Sequence, residues 1–153
     1  MRMGTFISNS PAETEALGEA WGREAGPGWV IGLHGDLGAG KTCLVRGLAR
    51  GLGIEARVHS PTFALVNEYH GGRHPLAHLD LYRLETARAV AGAGLDEYLY
   101  APAGLVVVEW IERWLPWLTN QDTPPQIPAR YRQVRIETLD ERRREITYAD
   151  YSS

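Results

Sequence analysis

Apolar residues fall along this chain in short blocks whose period changes several times. Residues 29–34, Trp-Val-Ile-Gly-Leu-His, form an apolar run that predicts a buried strand. Beyond a glycine-rich gap, Leu44, Val45, Leu48, Ala49 and Leu52 recur at helical spacing and predict a helix ended by Gly51 and Gly53. Upstream, residues 3–8 predict a short first strand. Ser10-Pro11-Ala12-Glu13 then reads as a capping box with Pro at the first helical position. Ala12, Ala16, Leu17, Ala20 and Trp21 predict the apolar face of the helix that follows, and Gly26-Pro27-Gly28 closes the connection.

Downstream, residues 64–69, a turn at Gly71-Gly72 and residues 75–79 predict a β-hairpin running into Asp80. Weaker helical patterns cover 86–93 and 95–99. Leu105-Val106-Val107-Val108 is an unbroken run suited to a strand buried on both faces, and it ends at Glu109-Trp110. Residues 111–118 predict a short helix interrupted by Pro116, and 119–128, with three prolines, predict a surface loop. Val134, Ile136 and Thr138 then alternate with polar residues, a turn falls near Asp140-Glu141, and the chain returns through Ile146 and Tyr148. The expected fold is α/β, with a mixed sheet that is parallel around the glycine-rich gap and antiparallel at the hairpins, and with flanking helices. Its 153 residues suit a single domain, 1–153.

Composition narrows the class without defining it. Hydrophobic content of 44% and charged content of 23% are those of a globular protein. A net charge of −3 argues against autonomous nucleic-acid binding, which positive charge drives. Cys43 is the only cysteine, which excludes an internal disulfide, and its position on a helix needs only a packing role. No membrane-length apolar run and no secretory signal pattern is present, so a cytoplasmic protein is expected. Arg130, Arg132, Arg135 and Arg142-Arg143-Arg144 make the last quarter locally basic: a solvated hairpin face, or a contact to a partner or to RNA held by one. His34, His59, His70, His74 and His78 show no metal-ligand spacing and read as structural or exposed. Trp110, Trp114 and Trp117 fall at helix-like intervals, which suggests core packing first and a partner surface second.

The chemistry concentrates in the gap. Gly35-Asp36-Leu37-Gly38-Ala39-Gly40-Lys41-Thr42 satisfies G-x-x-x-x-G-K-[ST] at every specified position, between a strand and a helix, which makes the expected α/β fold a P-loop NTPase fold. Gly35 and Gly40 permit backbone angles and close approach that a β-carbon would block. Amides from about Gly38 to Thr42 can wrap a β-phosphate, Lys41 can place its ammonium between β- and γ-phosphates, and the Thr42 hydroxyl can take one place on Mg²⁺. Lys41 is the only lysine among 16 basic residues, so the one flexible point charge stands where a phosphate needs it. Such a loop also needs a carboxylate across the site for Mg²⁺ and the attacking water. Asp80 and Glu109 each close an apolar strand, in the layer where α/β sheets bind ligands. Ser60-Pro61-Thr62 follows the loop helix, where related hydrolases sense the γ-phosphate.

Four motifs together resemble one family. Gly-Asp-Leu-Gly-Ala-Gly-Lys-Thr at 35–42, Ser-Pro-Thr-Phe at 60–63, His-Leu-Asp-Leu-Tyr-Arg-Leu at 78–84 and Val-Glu-Trp at 108–110 look jointly like TsaE (formerly YjeE), over about residues 10–118. That resemblance implies a bacterial ATPase of threonylcarbamoyladenosine (t6A) synthesis, acting with TsaD and TsaB on the adenosine beside the anticodon of ANN-decoding tRNAs. The tRNA would be met only through the complex. It implies ATP/ADP and Mg²⁺ as ligands, with Lys41 on phosphate, Thr42 and Glu109 on Mg²⁺, and Asp80 as the acidic residue essential for hydrolysis. Thr62 matches the switch-like segment and Trp110 a functionally implicated tryptophan. The nucleotide set then runs through Gly35, Asp36, Leu37, Gly38, Ala39, Gly40, Lys41, Thr42 and Cys43, with Trp110, and with adenine contacts near Ser10-Pro11. Cys43 stands where the family commonly has a second Thr.

Two other readings stand beside an ATP hydrolase, the first competing with it and the second compatible with it. One is a small-molecule kinase with a phosphate loop, for which Arg83 and Arg88 could serve as a lid but no acceptor signature exists. The other is a nucleotide-gated binding module whose slow hydrolysis times assembly. A guanine-specific switch is disfavoured, since neither Asn-Lys-x-Asp nor Asp-x-x-Gly occurs.

Overall fold

The computed structural model describes residues 2–35, 40–59, 61, 65–119 and 127–152. Through them the chain runs β1 (Met3–Ser8), α1 (Pro11–Glu24), β2 (Val30–Gly35), α2 (Lys41–Gly51), β3 (Val66–Tyr69), β4 (Leu76–Asp80), α3 (Ala87–Gly92), α4 (Asp96–Tyr100) and β5 (Leu105–Glu109). A 3₁₀ turn (Ile111–Arg113), β6 (Arg130–Thr138) and β7 (Arg144–Ser152) complete it. Among the described residues the strands form one seven-stranded sheet in the order β1-β7-β6-β2-β5-β4-β3. The four central strands, β6, β2, β5 and β4, are parallel. The β3–β4 and β6–β7 hairpins and the β1–β7 pair are antiparallel. The expected mixed sheet is therefore the one observed.

Strand parity sorts the core into two layers. Ile31, Leu33, Leu105, Val107, Val134 and Ile136 face α1 and α2, where Leu44, Val45 and Leu48 meet them. Val30, Val106, Val108, Leu79 and Tyr131 face the opposite side, covered by Val90 of α3, Leu99 of α4, Ile111 and Leu115. All five residues of β5 are buried, as its unbroken apolar run requires.

The α1 helix starts as expected. Ser10 is the N-cap, its hydroxyl accepts from the Glu13 amide at 3.2 Å, and Pro11 opens the first turn. Only that half of the capping box forms as the motif describes, because the Glu13 carboxylate accepts from Asn9 Nδ2 at 3.3 Å. The buried face of α1 differs from expectation more sharply. Ala12, Ala16 and Ala20 are exposed, while Thr14, Gly18, Trp21 and Gly22 are buried. Gly18 and Gly22 lie against the Leu44 and Leu48 carbonyls of α2, and Gly47 and Gly51 lie against the Glu15 and Glu19 carbonyls of α1. Two pairs of glycines at i, i+4 thus bring the backbones of two parallel helices into direct contact. Thr14 completes the face by sharing a 2.7 Å hydrogen bond with the buried Ser8 hydroxyl.

One arginine ties both helix ends to the β3–β4 turn. The Arg73 guanidinium donates to Gly51 O at 3.0 Å, Gly22 O at 2.9 Å and Ala25 O at 3.2 Å, satisfying carbonyls that the last turns leave open. Beyond β5 the helical prediction for 111–118 shrinks to three residues of 3₁₀ geometry. The glycine contact makes a direct expectation. An added Cβ at Gly47 would collide with the Glu15 carbonyl and lie 2.8 Å from the Glu19 amide nitrogen. Gly47→Ala is expected to destabilise the fold by about 1–3 kcal/mol in urea unfolding. Gly92→Ala, which meets nothing within 4 Å, should be neutral or slightly stabilising.

Candidate phosphate site

Strands β4 and β5 end at one level, and β2 passes that level and ends two residues later. Leu33 of β2 and Asp80 of β4 both register with Glu109 of β5, so the next residues of each strand open onto a common ledge. The chain leaves β2 at Gly35, where an added Cβ would lie 2.6 Å from the Ile136 carbonyl oxygen. It enters α2 through Gly40, a left-handed N-cap with φ 97° that is open to its surroundings. No acidic side chain occupies the first turn of α2, so its positive end is available to an anion. Lys41, 4% exposed, donates from Nζ to Gly35 O at 2.9 Å and stands 4.2 Å from the Trp110 ring centroid.

Trp110 follows β5 directly and adopts the left-handed conformation, φ 59° and ψ 41°. It is the only non-glycine residue with positive φ among the described residues. For so bulky a side chain this conformation costs on the order of 1–3 kcal/mol, which the surroundings must hold in place. The Tyr82 ring packs on the indole at 5.1 Å, and the Arg113 guanidinium lies 5.4 Å from it. Lys41 is thus roofed by an aromatic face that attracts cations.

The carboxylates occupy the adjoining strand ends. Glu109 is 4% exposed and its Oε2 lies 2.5 Å from Nε2 of His78, which is fully buried. Asp80 is half-buried and its Oδ1 accepts from the Tyr82 amide at 2.9 Å. Burial pushes the Asp80 carboxyl above the usual carboxylate range. The Tyr82 hydrogen bond opposes that shift, the Glu109 charge adds to it, and His78 and Lys41 oppose it.

The fold therefore brings together Gly35, Gly40, Lys41, Asp80, Glu109 and Trp110. Thr42 and Cys43 follow in the first turn of α2, with Cys43 Sγ 4.0 Å from Arg46 Nη1. Pro11 is exposed at the start of α1. Gly18 packs level with Gly47 and Gly22 with Gly51, so α1 and α2 run side by side in the same direction. Asp36, Leu37, Gly38 and Ala39, and Ser60 and Thr62 of the switch-like segment, lie outside the described residues. His59, just before that segment, is held to β3 by the Tyr69 hydroxyl and Asn67.

Several side chains differ from their sequence reading. His78 belongs to the site, and its i, i+2 spacing from Asp80 on one strand was the available signal. Trp110, Trp114 and Trp117 are half-buried, and the first two pack against the edge of the core as the sequence suggests. Trp114 packs edge-on to Tyr100, and Trp117 lies between His34 and Arg135. Of the C-terminal arginines, Arg130, Arg142 and Arg143 are exposed, as a solvated hairpin face requires, while Arg132 is turned inward. Arg132 is buried, pairs with both carboxylate oxygens of Asp150 at 2.6 and 2.9 Å, and stacks near Trp21 and Tyr148. Arg143 and Arg144 close the hairpin turn on the Asp140 carboxylate and carbonyl.

Phosphate-loop proteins of the α/β class share this plan, in which a strand delivers Lys-Thr to the N-terminus of the next helix and carboxylates finish the neighbouring strands. Within that class the chain belongs to the TsaE family: residues 8–146 match the family described as "Threonylcarbamoyl adenosine biosynthesis protein TsaE". It is 48% identical over 117 residues to the "tRNA threonylcarbamoyladenosine biosynthesis protein TsaE" of Synechocystis sp., covering 71% of this chain and 69% of that protein. With the protein of that description from Bacillus subtilis it shares 40% identity over 139 residues, 91% of this chain and 80% of the relative. The crystal structure of Bacillus subtilis YdiB superposes with a TM-score of 0.73 at 34% identity, covering 99% of this chain and 87% of that one. Among the described residues no helix is long and apolar enough to cross a membrane.

Asp80 supplies a pH test. Its raised folded value means the native state keeps a proton that the unfolded chain has already released. Its contribution to stability is complete below the ordinary carboxylate range and is lost as pH rises through the folded value. Asp80→Asn removes that loss. From about pH 4 to about pH 7, urea unfolding should show the variant gaining on the wild type as pH rises, then levelling off. A difference independent of pH would mean that Asp80 titrates as an exposed carboxylate does.

Proposed function

We propose that this chain is an ATP hydrolase that serves t6A modification of tRNA in the cytoplasm, working with TsaB and TsaD homologues. The observation that carries the reading is the ledge itself. Lys41 at a helix N-terminus stands beside strand ends that carry Asp80 and Glu109, in a chain of the TsaE family. The residues fit the ligands. Gly40 is open where a phosphate must approach, and the first turn of α2 has no acid to repel one. Thr42 and Glu109 offer hard oxygen donors suited to Mg²⁺, which keeps most of its waters and needs few protein ligands. Bound there, Mg²⁺ would neutralise charge on the β- and γ-phosphates.

The chain's own residues divide the work. Lys41 exchanges its Gly35 carbonyl partner for phosphate oxygens, and the amides of 35–42 hold the rest of the triphosphate. Asp80 orients the attacking water, and its raised carboxyl value brings it closer to the range of an effective base. The Trp110 ring shields the Lys41 ammonium from solvent, which strengthens its action on developing charge. Thr62 belongs to the segment that senses the γ-phosphate. Pro11, exposed at the start of α1, lies toward the base end of the nucleotide. Turnover is slow in isolation and rises in the complex, and tRNA is reached through the partners. Family membership favours water over a small-molecule acceptor, and so hydrolysis over a kinase.

Steady-state ATP turnover, with and without a TsaB–TsaD pair, tests this. Lys41→Ala and Asp80→Asn are each expected to lose about 100-fold or more in kcat/KM, and the pair should raise wild-type turnover. Wild-type rates in Asp80→Asn would remove its assigned role. Indifference to the pair would remove the partnership.

A further inference from the structure

His78 has no evident reason to be a histidine if it serves only the core. It is fully buried, its Nδ1 has no hydrogen-bond partner among the described residues, and an aliphatic side chain would fill its volume without stranding a polar atom. Its Nε2 meets Glu109. Parallel pairing sets His78 opposite Val107 and Asp80 opposite Glu109, so these residues share the sheet face beneath α2. Glu109, itself 4% exposed, turns its Oε2 back along that face to within 2.5 Å of His78 Nε2. An ionised carboxylate only accepts, so Nε2 carries the hydrogen and Oε2 is taken.

We propose that His78 is a positioning residue: its Nε2–H fixes Glu109 Oε2 and leaves Oε1 as the oxygen presented to Mg²⁺. The proposal rests on the reading of Glu109 as a metal ligand. A carboxylate on a flexible stem is held in one rotamer by a donor that is itself immobile in the core, so less ordering is lost when the metal binds. Asp80, on the same strand face, keeps its own anchor at the Tyr82 amide and is left free of this pair.

The test measures metal binding rather than turnover. Affinity for a non-hydrolysable ATP analogue is followed by calorimetry at stepped Mg²⁺ concentrations and in EDTA, for the wild type, His78→Met, His78→Gln and Glu109→Gln. Thermal melts of each variant accompany it. Met fills the space without a donor, whereas the Gln side-chain amide can donate from near the Nε2 position. His78→Met should raise the Mg²⁺ concentration needed for half-saturation about 10-fold or more while leaving affinity in EDTA unchanged, and His78→Gln should recover most of that loss. An unchanged Mg²⁺ requirement in His78→Met overturns the proposal. So does equal weakening in the Met and Gln variants, which would mark a packing role. If Glu109→Gln itself leaves the Mg²⁺ requirement unchanged, the metal-ligand reading fails and the proposal fails with it.

Discussion

The site depends on the register of its parallel strands. Hydrogen bonding of β5 between β2 and β4 fixes Glu109 beside Leu33 on one side and beside Asp80 on the other. A slip of one residue in either pairing would turn a carboxylate into the opposite core layer, because side chains alternate faces with period two. Burial on both faces makes such a slip expensive, since Val106 and Val108 are committed to one layer and Leu105 and Val107 to the other. The hydrophobic core thereby sets the spacing of the chemistry. The α1–α2 contact does the same for the loop helix, whose glycines let two backbones meet and so fix where Lys41 emerges.

Around that frame, charged groups are removed from water and then held by short, specific contacts. Lys41 is matched by a carbonyl and an indole face, Glu109 by His78, and Arg132 by Asp150. Each pairing offsets a desolvation penalty that the isolated charge could not bear. The strained Trp110 backbone belongs to the same economy of position. Its left-handed turn is what lays the ring over the lysine immediately after the strand that carries Glu109.

Much of this was legible in the sequence, and the reasons for the gaps are physical. The loop motif, the unbroken β5 run and the two hairpins carry strong local signals, and Asp80 and Glu109 followed from where those strands end. The packing face of α1 did not follow. Gly18 and Gly22 contribute close approach rather than hydrophobicity, so a pattern of apolar residues pointed to alanines that face solvent. Arg132 looked like one of a basic cluster because its partner, Asp150, lies on the neighbouring strand and is brought beside it only by the β6–β7 register. His78 carries no signal in metal-ligand spacing, and the informative relation is its strand parity with Asp80.

Calorimetric titration of the wild type and Lys41→Ala with ATP and Mg²⁺ tests the central claim, that the ledge at the start of α2 is the triphosphate site. The wild type should bind one nucleotide per chain, and Lys41→Ala should bind at least about tenfold more weakly, as loss of a charge-assisted contact of about 1.5–3 kcal/mol requires. Equal affinity in the two proteins would place the triphosphate elsewhere and contradict the account.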